Sequence, residues 1–265
     1  MSSQPRPLTF TKMHGLGNDF MVINTIQQPF DLGMVSIPAL ADRHIGVGFD
    51  QLLLIEPSTS ADFFCRIFNS DGSEAEQCGN GLRCIARYLH EEGIHQGSTL
   101  TIETRSGIFP IKINKIDNVT VTLSPPPAAD IELRLNPHTE LHSLSLGNPH
   151  TILKVDSVET AAVATLGPEI STHPHFACGT NVGFMEVVNR DHIRLRTFER
   201  GTGETHACGS NACAAAIIGI RNHSLANRVM VEFRLGSLMI EWEGEGKPIY
   251  MTGPAERVYQ GQLMG

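Results

Sequence analysis

Long apolar runs are missing from this chain, although hydrophobic residues make up 41% of its 265 residues. No stretch approaches the ~18 uninterrupted apolar residues of a membrane-spanning helix, and the N-terminal MSSQPRPLTFTKMHG lacks the apolar core of a secretory signal. Basic clusters are missing as well, since 20 Lys and Arg stand against 28 Asp and Glu, for a formal net charge of −8. These absences argue against membrane, secreted and nucleic-acid-binding proteins. We therefore expect a cytoplasmic protein that binds neither membrane nor nucleic acid.

Closely spaced cysteine pairs are also absent. The chain contains six cysteines, Cys65, Cys78, Cys84, Cys178, Cys208 and Cys213, and a cytoplasmic protein of this size is not expected to hold them in a disulfide framework. Neither the C-x2-C spacing of zinc sites nor the C-x-x-C of redox dithiols occurs. The loop GTGETH resembles a dinucleotide-binding turn, but His206 occupies its third glycine position. A zinc site, a redox dithiol and a dinucleotide site are each weak alternatives.

A repeat at a constant offset of 130 residues is the main feature that the sequence does contain. LGN occurs at 16–18 and at 146–148, and CG occurs at 78–79 and at 208–209. At the same offset the following pairs align without gaps: Arg66 with Arg196, Phe68 with Phe198, Glu74 with Glu204, Gln51 with Asn181, and Asn69 with Glu199. Such a spacing is too long for a solenoid. It predicts two pseudo-symmetric halves, residues 1–124 with Cys78 and 125–265 with Cys208, of which the final strands could pack back on the first half.

Both halves are predicted to be rich in strands. Runs that are β-branched or alternate in polarity are LTFTKM, FMVIN, QLLLIE, FFCRIFN, TLTIETR and GIFPIKIN, then TILKV, NVGFMEVV, HIRLRTF, VMVEFR and SLMIEW. Helices are predicted at 36–44, capped by Ser36, and at 79–93, 157–167 and 209–223. CAAAIIGI in the last helix is apolar on all sides, as in a helix surrounded by protein. We expect an α+β fold with two β-rich domains, each wrapped around a central helix and joined near LSPPPAADIEL.

Cys78 and Cys208 each stand where a glycine-rich polar loop leads into a helix. The first turn of a helix carries unpaired N–H groups and partial positive charge, which stabilise a thiolate. The donors at 79–80 and 209–210 could also hold a substrate carboxylate. A racemase or epimerase needs two such groups, because one removes the α-proton and the other returns a proton on the opposite face. The other cysteines have a simpler interpretation: Cys65, Cys84 and Cys213 follow apolar faces and are predicted to lie in the core, and Cys178, in a loop, has no assigned role.

Several segments together resemble the diaminopimelate epimerase family. They are KMHGLGNDF, ADRHIGVGFDQLL, FNSDGSEAEQCGNGLRC, GNPH, NVGFM, ERGTGETHACGS and MTGPA, and the resemblance covers nearly the whole chain. It implies the paired-domain fold of that family, with the active site in the cleft between the domains. The implied activity is cofactor-independent and metal-independent interconversion of LL- and meso-diaminopimelate, in lysine and peptidoglycan precursor biosynthesis.

The resemblance also implies roles for individual residues. Cys78 and Cys208 match the catalytic pair, His150 and Glu199 match residues that tune the thiols, and Tyr259 matches an aromatic at a homodimer contact. The matching substrate-binding positions are Asn18, Gln51, Asn69, Gly79, Asn80, Asn148, Asn181, Glu199, Arg200, Gly209 and Ser210. The substrate carries an amino-acid group at each end. Glu199 suits the distal ammonium, and Arg200 suits the distal carboxylate because a guanidinium binds it with two parallel bonds.

Two departures from the family pattern are visible. Asn211 stands where CGSGACA has its second glycine, and the segment 124–146 is short. CG motifs alone would also fit a proline-racemase-like enzyme acting on a cyclic imino acid, but LGNDF, GFDQ and ERGTGET favour the epimerase. A rival from another class is a non-catalytic thiol or zinc protein.

Overall fold

The computed structural model describes residues 7–128, 131–136 and 139–263. Its strands are β1 (Leu8–Gly15), β2 (Asn18–Asn24), β3 (Gln51–Glu56), β4 (Phe63–Asn69), β5 (Glu74–Ala75), β6 (Thr99–Thr104), β7 (Gly107–Lys115), β8 (Asn118–Leu123), β9 (Ile131–Asn136), β10 (Thr139–Ser145), β11 (Pro149–Lys154), β12 (Asn181–Asn189), β13 (His192–Glu199), β14 (Gly203–Thr205), β15 (Arg228–Phe233), β16 (Gly236–Trp242), β17 (Ile249–Gly253) and β18 (Glu256–Leu263). Its α-helices are α1 (Ile37–Ala41), α2 (Gly79–Glu91), α3 (Val163–Ser171) and α4 (Gly209–Arg221). Among these described residues, no helix has the length and apolar character to cross a bilayer.

Packing divides the chain into two compact units, residues 1–121 with 254–265, and residues 122–253. The C-terminal strand β18 belongs to the first unit and pairs antiparallel with β1. The boundary expected at 124/125 stays a prediction of where the repeated halves meet. Of the expected junction LSPPPAADIEL, residues 129 and 130 lie outside the described part of the chain, as do residues 137 and 138 of the short segment 124–146.

The strands of the two units pair in the same order. In the first, β1 and β2 are antiparallel, β2 and β3 parallel, and β3 and β4 antiparallel, while β4 also borders β5 and, in parallel, β6. In the second, β10, β11, β12 and β13 repeat this order, with β14 and parallel β15 beside β13. Individual pairs repeat as well: Phe20 lies opposite Gln51, and His150 opposite Asn181. The predicted repeat and the α+β class are confirmed.

A central helix lies against the strands of each unit. The helix α2 contacts β1, β2, β3 and β7, and α4 contacts β10, β11, β12, β15, β16 and β17. Their bounds differ by 130 residues at both ends. Every residue from Ala212 to Ile218 is buried, as predicted from the all-round apolar sequence, because strands cover the helix on several sides.

A hydrophobic core also lies under a short helix in each unit. In the first unit Ile37 of α1 packs with Phe10, Met21 and Leu52, and Ser36 caps that helix by accepting the Ala39 N–H at 3.4 Å. In the second unit α3 packs Val163 and Ile170 against Val182 and Phe184 of β12. In each unit this core therefore lies between the short helix and the strands.

The prediction of a helix at 157–167 is partly wrong, because α3 begins only at Val163 and continues to Ser171. The Ser157 hydroxyl, at the start of the predicted helix, accepts the Glu159 N–H at 3.3 Å in a tight turn. The N–H of Val158, between these two residues, donates to the Glu186 carboxylate of β12 at 2.9 Å. A side chain distant in the sequence therefore binds a backbone N–H that would otherwise lie in the first turn of the predicted helix.

Candidate active site

The hairpin between β1 and β2 positions Asn18. Leu16 and Gly17 form its two-residue loop with φ of 55° and 86°, and a hairpin loop of this kind needs positive φ at both positions. Gly17 adopts that conformation at little cost, whereas the leucine is held there with its side chain buried. Asn18 is the first residue of β2 and lies opposite Gly15. The turn therefore fixes the backbone from which its amide projects.

Cys78 is the N-cap residue of α2. Its backbone is extended (φ −152°, ψ 103°), and its Sγ accepts the Gly81 N–H at 3.4 Å. The Asn18 Oδ1 lies 3.7 Å from the same sulfur and also accepts the Asn80 Nδ2 at 3.2 Å. Three predicted site residues, Asn18, Cys78 and Asn80, are thus brought together beside Gly79 at the start of the helix.

Gln51 and Asn69 form a second pair in the first unit. They lie opposite each other across β3 and β4, and Gln51 Nε2 donates to Asn69 Oδ1 at 2.9 Å. The Asn69 amide in turn donates to the Ser73 hydroxyl at 3.0 Å. Gln51 Oε1 is buried and has no hydrogen-bond partner within the described part of the chain. It is suited to accept a hydrogen bond from a ligand ammonium.

Cys208 is the N-cap residue of α4, at the same place in the second unit. Its backbone is again extended (φ −125°, ψ 114°), but its side chain makes no capping hydrogen bond within α4. Its Sγ lies 3.4 Å from the Ser210 hydroxyl, and the residue is 7% exposed. The two predicted thiols share a position relative to a helix, with Gly79 or Gly209 next in the chain, while their hydrogen-bond partners differ.

His150 is fully buried beside Asn148. Its Nε2 lies 2.9 Å from Asn148 Oδ1, and its Nδ1 has no hydrogen-bond partner among the residues that the structure describes. Burial lowers the pKa of His150 to about 3, so the ring is neutral near pH 7. Any influence on a thiol would therefore come from a neutral imidazole dipole rather than from a cation.

Asn181 holds the turn that carries Arg200. Its Oδ1 accepts the Arg200 backbone N–H at 3.0 Å, and its Nδ2 donates to the Pro149 carbonyl at 3.3 Å. The Arg200 guanidinium donates to the Cys178 carbonyl, and its methylenes cover Gly179, where a Cβ would stand 2.8 Å from Arg200 Cδ. Since Gly179 has a φ of 71°, only glycine fits there without strain.

Glu199 precedes Arg200 at the end of β13 and accepts the Thr205 hydroxyl at 2.5 Å. Arg200 lies at an open depression of about 630 Å³ that Phe176, Cys178 and Phe198 also line. Loop 178–179, to which no role was assigned from the sequence, thus positions a predicted substrate residue.

The predictions for the remaining cysteines are confirmed. Cys65, Cys84 and Cys213 are at most 1% exposed, and Cys178 is exposed. Burial raises the pKa of Cys84 to about 12 and that of Cys65 well above its ordinary range. Both therefore remain neutral thiols near pH 7, as expected of core residues.

Tyr259 lies apart from these groups, on β18 and opposite Lys12 of β1. It is 44% exposed, and its ring makes an edge contact with Phe10 at 6.0 Å between centroids. The geometry leaves much of an aromatic ring accessible to solvent.

Asn211 accounts for one departure from the family pattern. In the first unit a Cβ on Gly81 of α2 would stand 3.2 Å from Leu53 of β3. In the second unit the large and the small residue change places. Asn211 of α4 stands at the position of Gly81, and Gly183 of β12 at that of Leu53. A Cβ on Gly183 would stand only 2.3 Å from Asn211 Oδ1. Asn211 is fully buried, and neither amide atom has a partner in the described chain.

A set of charged residues around Asn18 was missed from the sequence. Asn18 Nδ2 donates to Asp50 at 3.0 Å, and Arg43 donates to both Asp50 and Asp19. At the other side, Arg83 of α2 is fully buried and donates to Asn80 Oδ1 at 2.9 Å. The position of Asp50 directly before Gln51, in the quoted GFDQ, was the available signal.

Comparison with known proteins agrees with these features. The family model described as "Diaminopimelate epimerase" matches residues 10–127 and 142–258. A diaminopimelate epimerase of Ectopseudomonas mendocina is 48% identical over 272 residues, covering 97% of this chain and 99% of the relative. One from Stutzerimonas stutzeri is 47% identical with the same coverage.

Solved structures extend the comparison to the fold. A PhzF-family phenazine biosynthesis protein of Bacillus anthracis has a TM-score of 0.73 at 18% identity, covering 97% of this chain and 99% of its own. A hydroxyproline epimerase of Agrobacterium vitis has a TM-score of 0.70 at 17% identity, covering 98% and 93%. At such low identity these two show only a shared architecture. With the family match over most of its length and relatives near 48% identity, the chain belongs to the diaminopimelate epimerase family.

Proposed function

We propose that this protein is a cofactor-independent epimerase that interconverts LL- and meso-2,6-diaminopimelate. Its relatives carry the name diaminopimelate epimerase, which supports the substrate and the type of reaction. The observation that carries the proposal is a cysteine at the N-cap of the equivalent helix in each half, in a chain that matches the family over most of its length. The activity would serve lysine and peptidoglycan precursor biosynthesis in the cytoplasm.

In the proposed reaction, Cys78 and Cys208 act on one α-carbon from opposite faces. One thiolate removes the α-proton, and the other thiol returns a proton, so the configuration inverts without a cofactor. Negative charge then develops on the substrate carboxylate. The N–H groups of Gly79 and Asn80, or of Gly209 and Ser210, are suited to stabilise it, because the first turn of a helix offers unpaired donors and partial positive charge.

Recognition of the distal end is assigned to groups that differ between the halves. Glu199 stands at the repeat position of Asn69, so the second half offers a carboxylate where the first offers an amide. A carboxylate suits the distal ammonium, and the Arg200 guanidinium suits the distal carboxylate. The amides of Asn18, Gln51, Asn148 and Asn181 supply donors and acceptors without adding net charge.

The decisive experiment is exchange at the α-carbon. Purified protein is incubated with LL-diaminopimelate in D₂O without added metal or pyridoxal phosphate, and deuterium incorporation and meso product are followed together. We expect incorporation to accompany inversion. Activity only after addition of a cofactor would falsify the two-thiol mechanism. Proline in place of diaminopimelate tests the proline-racemase-like alternative, and metal analysis of the native protein tests the zinc alternative.

We also propose a homodimer that uses the exposed face of β18 around Tyr259. The support is the exposed aromatic ring on a strand that pairs with β1 along one side, together with the match to a family dimer contact. Exposed aromatic rings are common anchors of interfaces. Sedimentation of wild type and Tyr259→Ser tests it: the variant is expected to dissociate at higher concentration than wild type, and equal dissociation would remove Tyr259 from the contact.

A further inference from the structure

Two side-chain amides next to Cys78 belong to a hydrogen-bonded chain that begins at a cation and ends at an anion. Arg83 Nη2 donates to Asn80 Oδ1 at 2.9 Å, and Asn80 Nδ2 donates to Asn18 Oδ1 at 3.2 Å. Asn18 Nδ2 then donates to Asp50 Oδ2 at 3.0 Å. In each of these hydrogen bonds, the residue nearer Arg83 is the donor and the residue nearer Asp50 is the acceptor.

The cationic end is fixed by burial. Arg83 is fully buried, and its Nε donates to the Pro254 carbonyl at 3.0 Å. Gly15 leaves room for the guanidinium, since a Cβ there would stand 2.9 Å from Arg83 Nη2. An arginine remains protonated in such a site, so it can only donate.

Ion pairs fix the anionic end. Asp50 Oδ1 accepts Arg43 Nη2 at 2.9 Å, and its Oδ2 also accepts the Asp19 N–H at 3.2 Å. Asp19 is bonded in turn to Lys12 at 2.6 Å and to Arg43 at 2.8 Å. Burial raises the pKa of Asp19, but its bonds to Arg43 and Lys12 outweigh this and lower it to about 2. Arg43 and the Asp19 N–H thus hold Asp50 in place as the acceptor end of the hydrogen-bonded chain.

These ends leave one orientation for the amides between them. A primary amide offers an oxygen that accepts and a nitrogen that donates. Turning Asn18 over would place its oxygen against the Asp50 carboxylate and its NH₂ against the NH₂ of Asn80, so two hydrogen bonds would be lost. The Asn18 oxygen thus stays on the side of the Cys78 sulfur, 3.7 Å away.

We propose that Asp50 and Arg83 are positioning residues that hold the Asn18 oxygen toward Cys78, so that it accepts the S–H and favours the thiol over the thiolate. The Gly81 N–H at 3.4 Å has the opposite effect on the same sulfur. The role in proton transfer rests on the proposed function, whereas the orientation rests on these contacts alone.

The second half lacks this device. At the offset of 130, Thr180, Ser210 and Cys213 stand in place of Asp50, Asn80 and Arg83. The Asn148 oxygen, equivalent to that of Asn18, is bonded to His150 Nε2 at 2.9 Å. The two thiols therefore have different hydrogen-bond partners, Asn18 for Cys78 and Ser210 for Cys208, although their backbones are alike.

The test is the pH dependence of Cys78 alkylation, measured without substrate by quantitative peptide mapping after reaction with iodoacetamide. The thiols of Cys65 and Cys84 do not titrate in the same pH range, because burial raises their pKa values. Asp50→Ala and Asn18→Ala should each lower the alkylation midpoint by about 0.4–1 pH unit, the effect of one neutral hydrogen bond. Asp62→Ala is the control and should leave the midpoint unchanged. Among the described residues, the hydrogen bonds to this carboxylate come from the N–H and hydroxyl of Thr101, at 2.7 and 2.8 Å.

The double variant Asn18→Ala/Asp50→Ala distinguishes two effects of removing Asp50: the loss of its hold on the Asn18 amide, and the loss of a negative charge near Cys78. If Asp50 acts through Asn18, Asp50→Ala should add nothing in the Asn18→Ala background. An undiminished shift there, or no shift in folded Asp50→Ala, overturns the proposal. Should Asp50→Ala not fold, Asn18→Ala alone decides: a lower midpoint supports the orientation, and a higher or unchanged one refutes it. Absence of epimerisation by wild type would refute the proposed function without touching this result.

Discussion

Gly183→Ala is expected to destabilise the second unit because of Asn211. The new Cβ would stand 2.3 Å from Asn211 Oδ1 and 2.7 Å from Ile152 Cδ1, both closer than van der Waals contact. Overpacking of this kind costs about 1–3 kcal/mol. In the Asn211→Gly background the nearer obstacle is gone, and alanine is favoured over glycine in a strand by about 0.5–1 kcal/mol. The substitution should then be close to neutral, giving a coupling free energy of about 1–3 kcal/mol.

Urea unfolding followed by Trp242 fluorescence measures this coupling. Trp242 is the one tryptophan of the chain, is 2% exposed and belongs to the second unit. Gly219→Ala is the matched control, since its Cβ would stand 2.2 Å from Leu225 Cδ1 and its clash does not involve Asn211. Its cost should be the same in both backgrounds. Equal costs of Gly183→Ala in the two backgrounds would show that Asn211 does not fill the space of Gly183.

Three further predictions concern the site and its supports. Cys78→Ala or Cys208→Ala should each abolish epimerisation with unchanged circular dichroism, whereas Cys84→Ala should retain activity and lose about 1 kcal/mol of stability; an inactive but fully stable Cys84→Ala would point to the wrong thiol. Arg200→Lys should lose about 2–3 kcal/mol in kcat/KM, because an ammonium cannot form two parallel bonds to a carboxylate; kinetics like wild type would remove Arg200 from the site. Asp19, whose pKa falls from 3.8 to about 2 on folding, stabilises the fold above about pH 4 by up to about 2 kcal/mol, and this is lost as the pH falls toward 2. Urea midpoints at about pH 5 and about pH 3 should therefore differ more in wild type than in Asp19→Asn, and equal differences would contradict the ion-pair explanation.

The repeat made much of the fold predictable from the sequence. Arg66 binds Glu74 through two nitrogen atoms, and 130 residues later Arg196 binds Glu204 in the same way. The buried helix α4 was evident from its uniform apolar composition. Strands β10, β17 and β18 were missed, because their short or polar-rich segments carry a weak alternating pattern. The strand β8 was also missed, although its sequence NVTVTL alternates in polarity.

The residues around the thiols were only partly predictable. Cys78 and Cys208 stand out by their glycine-rich surroundings, and their N-cap positions follow from the local sequence. The series of hydrogen bonds from Arg83 to Asp50 does not follow from the local sequence, since Asn18 lies 62 positions before Asn80 and 32 before Asp50. Contacts over such separations depend on the strand register rather than on any local pattern.

The offset between the halves first changes in the loop that follows each central helix. From α2 to β6 the loop covers 92–98, whereas from α4 to β15 it covers 222–227 and is one residue shorter. Upstream of these loops the two helix starts, and the strand pairs that precede them, keep the same spacing. The spacing between equivalent residues is thus kept up to each central helix and changes only after it, beyond the helix end that is remote from the cysteine. Insertion of a peptide tag or a circular-permutation break should therefore be tolerated best within 92–98 or 222–227, and worst in the loops leading to Cys78 and Cys208.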